Sequence, residues 1–285
     1  MQAHELIDEN LRLFALPDIA VRVNALIDNP HSSADTIARE LELDTALSAT
    51  LMKVANSAFY GLPGRVDSIA KAVTLVGHKA LRDLVISVVM IRSFRGIGED
   101  FIRMVDFWDN SLVCGIVARS LARKCQLEEP DRMFLAGMLH KIGRLVFFAG
   151  RLEEYRKVLT RGAQGGNALA EAEREVFGFD YAELGAALLD AWRFPPVLRT
   201  AVANQLKSPP QPEYPLECDI LYVAADIAEA MSPDIQTGSP TGFDWLEFSP
   251  QTLSILGMGR NELDVVMQSS LDQALELIAI VNPRR

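Results

Sequence analysis

At 285 residues, with 49% hydrophobic and 23% charged side chains, the chain has the composition of a folded globular protein, long enough for a substantial core in one or two domains; a disordered, collagenous or low-complexity polypeptide is excluded. Lys and Arg number 28 against 38 Asp and Glu, a formal net charge of −10, and the excess is lopsided: residues 1–150 hold 17 basic and 18 acidic side chains, residues 151–285 hold 11 and 20. A general nucleic-acid binder needs a basic face, which this balance argues against, and three scattered cysteines, Cys114, Cys125 and Cys218, suit free thiols in a reducing cytoplasm rather than a disulfide frame or a zinc site.

Along the chain the apolar period is helical nearly everywhere. The polar, acidic start MQAHELIDEN does not read as a signal peptide. Asp28–Asn29–Pro30 ends a first helical stretch. Asp44–Asn56 places Leu47, Leu51 and Val54 on one face, with Asp44 as N-cap. After the break at Gly61–Leu62–Pro63–Gly64, Ser68 caps a stripe of Ile69, Ala72, Val73 and Val76, and Gly77 reads as the glycine ending that helix. The run Leu84–Ile91 has strand-like composition, but its flank Lys79–Arg82 favours one long buried helix, and it is far shorter than the roughly 20 residues a membrane helix needs. Gly162–Gly166 is predicted as a flexible turn, Trp192–Pro196 as a helix-to-helix hinge with proline in the new first turn, and Ser208–Pro215 as a stiff connection. Ser232–Pro250 reads as a long loop and Asn261–Val281 as a closing amphipathic helix that packs on its own chain or on a second copy. The expectation is an all-α fold of roughly a dozen helices, cytoplasmic and without a membrane span.

Four segments carry more information: the LP start at Leu16–Pro17 with Asp44–Leu47 leading to ANSAFYG (55–61), the turn AVTLVG (72–77), AGMLHKIG (136–143), and the AW-FPP hinge (191–196). In this order and spacing the chain resembles the HDOD family, a divergent branch of the HD-domain superfamily of metal-dependent phosphohydrolases, over about residues 12–230. The resemblance implies a two-lobed helical module: an N-terminal lobe over 1–95, an HD-like core over 96–230, and a loop and C-terminal helical extension over 231–285 packing on the core. It also implies a bacterial signalling protein, often without demonstrable catalysis, with a link to cyclic-dinucleotide signalling.

Active HD enzymes gather His, an adjacent His-Asp pair and a later Asp around one or two divalent ions, which lower the pKa of a bound water for attack on phosphorus. Carried onto this chain, that set is depleted. The dyad reads His140–Lys141, an ammonium where the carboxylate belongs; Asn110 stands at the earlier histidine; Tyr181 and Asn204–Gln205 stand at the later histidines; Asp226 survives as the final aspartate. A lone His and a lone Asp make a poor divalent site, and the chain has only four histidines. No metal or other cofactor is therefore expected.

Each of these residues also has an ordinary structural reading. His140 suits a hydrogen-bonded core histidine. Lys141 suits a carboxylate pair, with Asp226 the natural partner if the fold joins them, or else an anion contact. Asn56, Ser57 and Tyr60 suit a helix terminus satisfying its loose backbone groups, or a partner-contact surface. Ser33–Leu41 and Asp44–Asn56 have helix-turn-helix spacing, but the second helix offers only Lys53 and Asn56 to a DNA groove, and Asp35, Glu40, Glu42 and Asp44 repel phosphate. The sequence thus points to a non-enzymatic regulatory module that contacts another signalling protein, with His140, Lys141 and Asp226 as candidate ligand contacts. An HD-type phosphohydrolase with an altered site and a direct DNA-binding regulator are the alternatives.

Overall fold

The computed structural model describes residues 2–10, 13–62, 64–94, 103–161, 166–206, 213–237 and 248–282. Among them every regular element is a helix, as the apolar period demands. The caps form as expected. In α4 (Thr45–Ala55) the Asp44 carboxylate accepts from the Leu47 N–H at 2.8 Å, and in α5 (Ile69–Val76) the Ser68 hydroxyl accepts from Lys71 N–H at 3.2 Å. Gly77, at φ 91°, separates α5 from α6 (His78–Ser93), in a backbone region that L side chains avoid. Leu84–Ile91 is buried throughout α6, a helix and not a strand.

The chain begins with α1 (Ala3–Asn10), α2 (Asp18–Asp28) and α3 (Ala34–Glu42), and α3 packs on α5. The hub is α7 (Met104–Lys124), which lies against α8 (Pro130–Leu139), α14 (Pro215–Thr237) and α16 (Arg260–Val281). Two glycines explain how closely α7 and α8 approach: a Cβ built on Gly137 would lie 2.5 Å from the Gly115 Cα. The stretch 130–150 is apolar and long enough to cross a membrane, yet it is mostly buried in the protein and interrupted at His140–Lys141 before α9 (Ile142–Gly150). The remaining helices are α10 (Leu152–Arg161), α11 (Gly166–Phe177), α12 (Tyr181–Ala191), α13 (Pro196–Asn204) and α15 (Pro250–Leu256).

One continuous apolar cluster runs from Leu6 to Val281, with a small satellite of Ala55, Val66 and Ala72 under the N-terminal helices. Helix α1, at the start of the N-terminal segment, packs on α9 and α12 of the central one, and the Trp192 indole N–H donates to the Phe14 carbonyl at 2.7 Å. The closing helix packs on its own chain: Asn282 Nδ2 donates to Asp109 Oδ1 at 2.8 Å and to the Val105 carbonyl at 3.0 Å.

The long loop expected over 232–250 needs correction. Helix α14 continues through Thr237, carrying Pro233 within it. A proline inside a helix removes one backbone donor and crowds the preceding turn, a cost of about 3 kcal/mol that weakens a helix without always ending it. Residues 238–247 lie outside the described residues, as do 162–165 of the expected turn and 207–212 of the expected connection.

Candidate functional site

Helices α7, α9, α10, α11 and α14 enclose a cleft of about 310 Å³. Its polar centre is Lys141, which follows α8 and caps α9. The side chain is 10% exposed, and its ammonium donates to Asn110 Oδ1 on α7 and to Glu229 Oε2 on α14, both at 2.8 Å. Burial, and then the neighbouring Arg144, hold the Lys141 pKa below the usual lysine value, while the ammonium lowers that of Glu229.

Asp226 is not the partner of this lysine. It lies one helical turn before Glu229, where burial and the Glu229 charge raise its carboxyl to about 6, with a hydrogen bond from Tyr222 acting the other way. Residues three apart on a helix share a face, so the sequence left both acids eligible, and the packing of α14 on α7 chose the later one.

His140 is fully buried. Its Nδ1 lies 2.6 Å from the Gly137 carbonyl, and burial followed by the Lys141 charge holds its ring pKa far below the ordinary histidine value. Gln205 is a scaffold residue, its amide donating to the His140 carbonyl at 2.7 Å and to the Val202 carbonyl at 2.9 Å. Asn204 Nδ2 donates within its own helix to Thr200. The geometry therefore brings Asn110 and Lys141 together at the cleft, leaves His140, Asn204 and Gln205 behind it in the core, and puts Asp226 beside Tyr222.

Tyr181 lies under Arg144, whose guanidinium sits 4.2 Å above the ring. This stack depends on Gly143: a Cβ there would lie 2.1 Å from the Tyr181 carbonyl oxygen and 2.6 Å from Gly185 N, so only glycine lets α9 pass α12 at this distance. Behind the stack, Glu173 is fully buried, accepting from the Tyr155 hydroxyl and, at 2.7 Å, from the Tyr181 backbone N–H. Burial raises its carboxyl to about 7 against the opposing pull of Arg144. The sequence reading missed Arg144, Glu229 and Glu173. The available signal was a lone cation inside the apolar run IGRLVFF and an acid one turn beyond Asp226.

The other candidate group is a structural joint. Asn56 Nδ2 donates to the Met52 and Val66 carbonyls at 3.1 and 2.7 Å, its Oδ1 accepts from Val66 N–H at 3.1 Å, and Ser57 Oγ donates to the Val54 carbonyl at 2.7 Å. Tyr60 and Phe59 flank Arg119 of α7, a guanidinium 4.8 and 4.0 Å from the two rings that donates to the Phe59 carbonyl and to Asp131, both at 2.7 Å. Asn56 and Ser57 thus spend their polar atoms on the chain itself, the helix-terminus reading rather than a free surface. On α4 the exposed positions are Thr45, Ala46, Ala49 and Lys53, a face with a single cation.

Helices on all sides of α7 and a polar cleft at the α8–α9 junction define an HD-like helical domain. The chain belongs to the HDOD domain family, whose model matches residues 13–208. A curated protein of Treponema pallidum (strain Nichols), described as uncharacterized, is 28% identical over 188 residues, which is 65% of this chain and 36% of that protein, so the match spans little more than a third of the relative. Among solved structures, a Shewanella amazonensis SB2B protein provisionally named a phosphohydrolase has a TM-score of 0.76 at 25% identity, covering 97% of each chain. An HDOD domain protein with unknown function from Geobacter sulfurreducens has a TM-score of 0.63 at 22% identity, covering 96% of this chain and 93% of that one. A provisionally named signal transduction protein from Marinobacter aquaeolei VT8 has a TM-score of 0.71 at 19% identity, covering 97% of this chain and 61% of that one. The last two are likenesses of fold alone.

Proposed function

We propose that this chain is a non-enzymatic regulatory module of bacterial signalling that works through contact with another protein and keeps a ligand-sensing cleft where HD enzymes hold metal. The observation that carries this reading is the Lys141 ammonium, bonded at once to Asn110 and Glu229. A divalent ion needs several lone-pair donors converging on one point. Here the central position is already filled by a positive charge tethered to the backbone, and among the described residues no three His, Cys, Asp or Glu side chains gather as a metal-binding group. An incoming cation would be repelled by Lys141. The residues present do not fit a divalent ion, and no reaction step is routed through one. A surplus of acidic residues after position 150 favours a partner with a basic face, since complementary charge guides encounter.

A hydrolytic reading is favoured by one finding, the provisional phosphohydrolase name of the Shewanella protein. Metal analysis of the purified chain followed by a phosphodiesterase screen with added Mn²⁺ separates the two. The expected result is no stoichiometric Mn, Fe, Ni or Zn and no turnover. Tightly bound stoichiometric metal with turnover abolished in His140→Ala would overturn the proposal.

A further inference from the structure

Helices α10 and α11 form a hairpin with a narrow attachment to the rest of the chain. Among the described residues α11 meets chiefly α10, and α10 meets α9. A single residue, Arg151, separates α10 from α9, and Gly178, at φ 88°, lies between α11 and the Asp180 cap of α12. The seam is largely aromatic: the Tyr155 and Phe177 rings of the hairpin stack on Phe147 of α9, with centroids 4.9 and 4.6 Å apart. Glu173 of α11 is the polar exception, a fully buried carboxylate. One of its oxygens accepts from the Tyr155 hydroxyl within the hairpin, and the other reaches across to the Tyr181 N–H at 2.7 Å. That N–H is one of the donors a helix N-terminus leaves open, so Glu173 fastens the hairpin to the start of α12. Arg174 also bonds Asp180 at 2.9 Å, but its side chain is 40% exposed and solvent screens the pair. Tyr155, Leu159 and Leu169 of the same hairpin line the cleft.

We infer that the α10–α11 hairpin is a hinged flap on the cleft, latched to α12 through Glu173, and that it opens more readily at neutral than at acid pH. Its use as a gate rests on the reading of the cleft as a ligand-sensing site; the hinge itself does not. Opening withdraws Tyr155, Leu159 and Leu169 from the cleft wall. The stacked rings of the seam hold equally well at any pH, whereas Glu173 titrates. It is faced by Arg144 from α9, Tyr155 from α10, and Asp180 and Tyr181 from the start of α12. Arg144 and the two hydrogen-bond donors favour the carboxylate and Asp180 opposes it, but burial outweighs them and raises the carboxyl from 4.5 to about 7. An open flap returns Glu173 to water and to its ordinary value of 4.5. The closed form therefore holds the proton more tightly, and its advantage is complete below pH 4.5 and lost as pH rises through 7. Between pH 5.5 and 7.5 the closing constant falls about twentyfold.

The test is hydrogen exchange by mass spectrometry on the full chain, without ligand or metal, at pH 5.5 and 7.5, each rate being divided by the intrinsic rate of an unprotected amide. Peptides within 152–161 and 168–177 exchange ahead of those of α7 and α8, and their protection falls about twentyfold from the lower pH to the higher. Low concentrations of urea speed their exchange less than that of α7, because a local opening exposes less surface than global unfolding. Glu173→Gln keeps an acceptor for the Tyr181 N–H but cannot ionise, and it removes the fall with pH. Hairpin protection equal to that of α7, with the same urea dependence, overturns the flap from the wild type alone. Protection that does not change with pH in the wild type, or the same fall in Glu173→Gln, overturns the latch. Because exchange is read without ligand, metal-dependent turnover in the phosphodiesterase screen would sink the non-enzymatic reading and leave the flap standing.

Discussion

The sharpest consequence of the cleft geometry is an asymmetry between the two ends of the Lys141–Glu229 pair. The Lys141 side chain is 10% exposed, whereas the Glu229 side chain is 67% exposed. Glu229→Ala therefore leaves a buried ammonium with Asn110 as its remaining partner. A hydrogen bond to a charged group contributes about 1.5–3 kcal/mol; with one partner largely in water, solvent screening reduces this to about 1–2 kcal/mol. Lys141→Met breaks the same bonds, but the freed carboxylate is solvated and the cost of burying an ammonium disappears with it, so a nearly isosteric apolar side chain leaves stability within about 1 kcal/mol of the wild type. For a chain of this size those figures are a fall of about 3–6 °C in Tm for Glu229→Ala and a change of no more than about 3 °C for Lys141→Met. Differential scanning calorimetry at neutral pH reads both. Equal and large losses in the two variants would refute the argument, because they would mean that the ammonium itself holds the helices together and not merely that an orphaned cation is costly.

Other consequences concern the scaffold. Gly143→Ala forces α9 away from α12, because the added methyl meets backbone and not a movable side chain; a destabilisation of about 3 kcal/mol is expected, at the upper end of overpacking costs, and an unchanged unfolding midpoint in urea would show that the helices separate freely. Glu173, raised from 4.5 to about 7, binds a proton in the folded state that the unfolded state releases, so its contribution is complete below pH 4.5 and is lost as pH rises through 7. Glu173→Gln keeps an acceptor for the Tyr181 N–H and removes this loss. Its stability relative to wild type should rise between pH 5 and 8, by at most about 3 kcal/mol, and a pH-independent difference in denaturant titrations would contradict the raised pKa. His140 acts in the opposite sense, costing stability as pH falls below 6.5, but it is common to both proteins and cancels in the comparison. Arg119→Ala strips a nearly fully buried guanidinium from Phe59, Tyr60 and Asp131; a loss of about 3 kcal/mol with faster amide exchange over 57–66 is expected, and unaltered exchange there would refute the joint.

Much of the fold was legible because its determinants are local. The Asp44 and Ser68 caps, Gly77 and the buried run of α6 each follow from residues within one or two turns, and each is found where those residues put it. The contents of the cleft were legible only in part. Asn110 and Lys141 could be placed by family resemblance, yet which acid meets the lysine depends on how α14 rolls against α7, an angle set by side chains far apart in the chain. Asp226 and Glu229 share a helix face, and three residues of phase separate a hydrogen-bonded partner from a neighbour. Arg144 stayed hidden for a related reason: its stack on Tyr181 depends on how closely α9 passes α12, which shows only once the helices are assembled. The packing of α1 on α9 and α12 was equally out of reach, since an eight-residue amphipathic helix carries no mark of which surface it will cover.

The pairing also bears on how a metal-type fold persists under the reading proposed here. A metal in such a site joins helices by drawing donors from several of them to one charge, and its binding energy becomes folding energy only while the ion stays bound. Lys141 joins the same kind of set, Asn110 from α7 and Glu229 from α14, to a charge fixed at the α8–α9 junction. Because that cation is covalently part of the chain, no concentration of free ion governs the link and no chelator removes it. The cost is the desolvation that lowers the Lys141 pKa, which two hydrogen bonds at 2.8 Å partly offset.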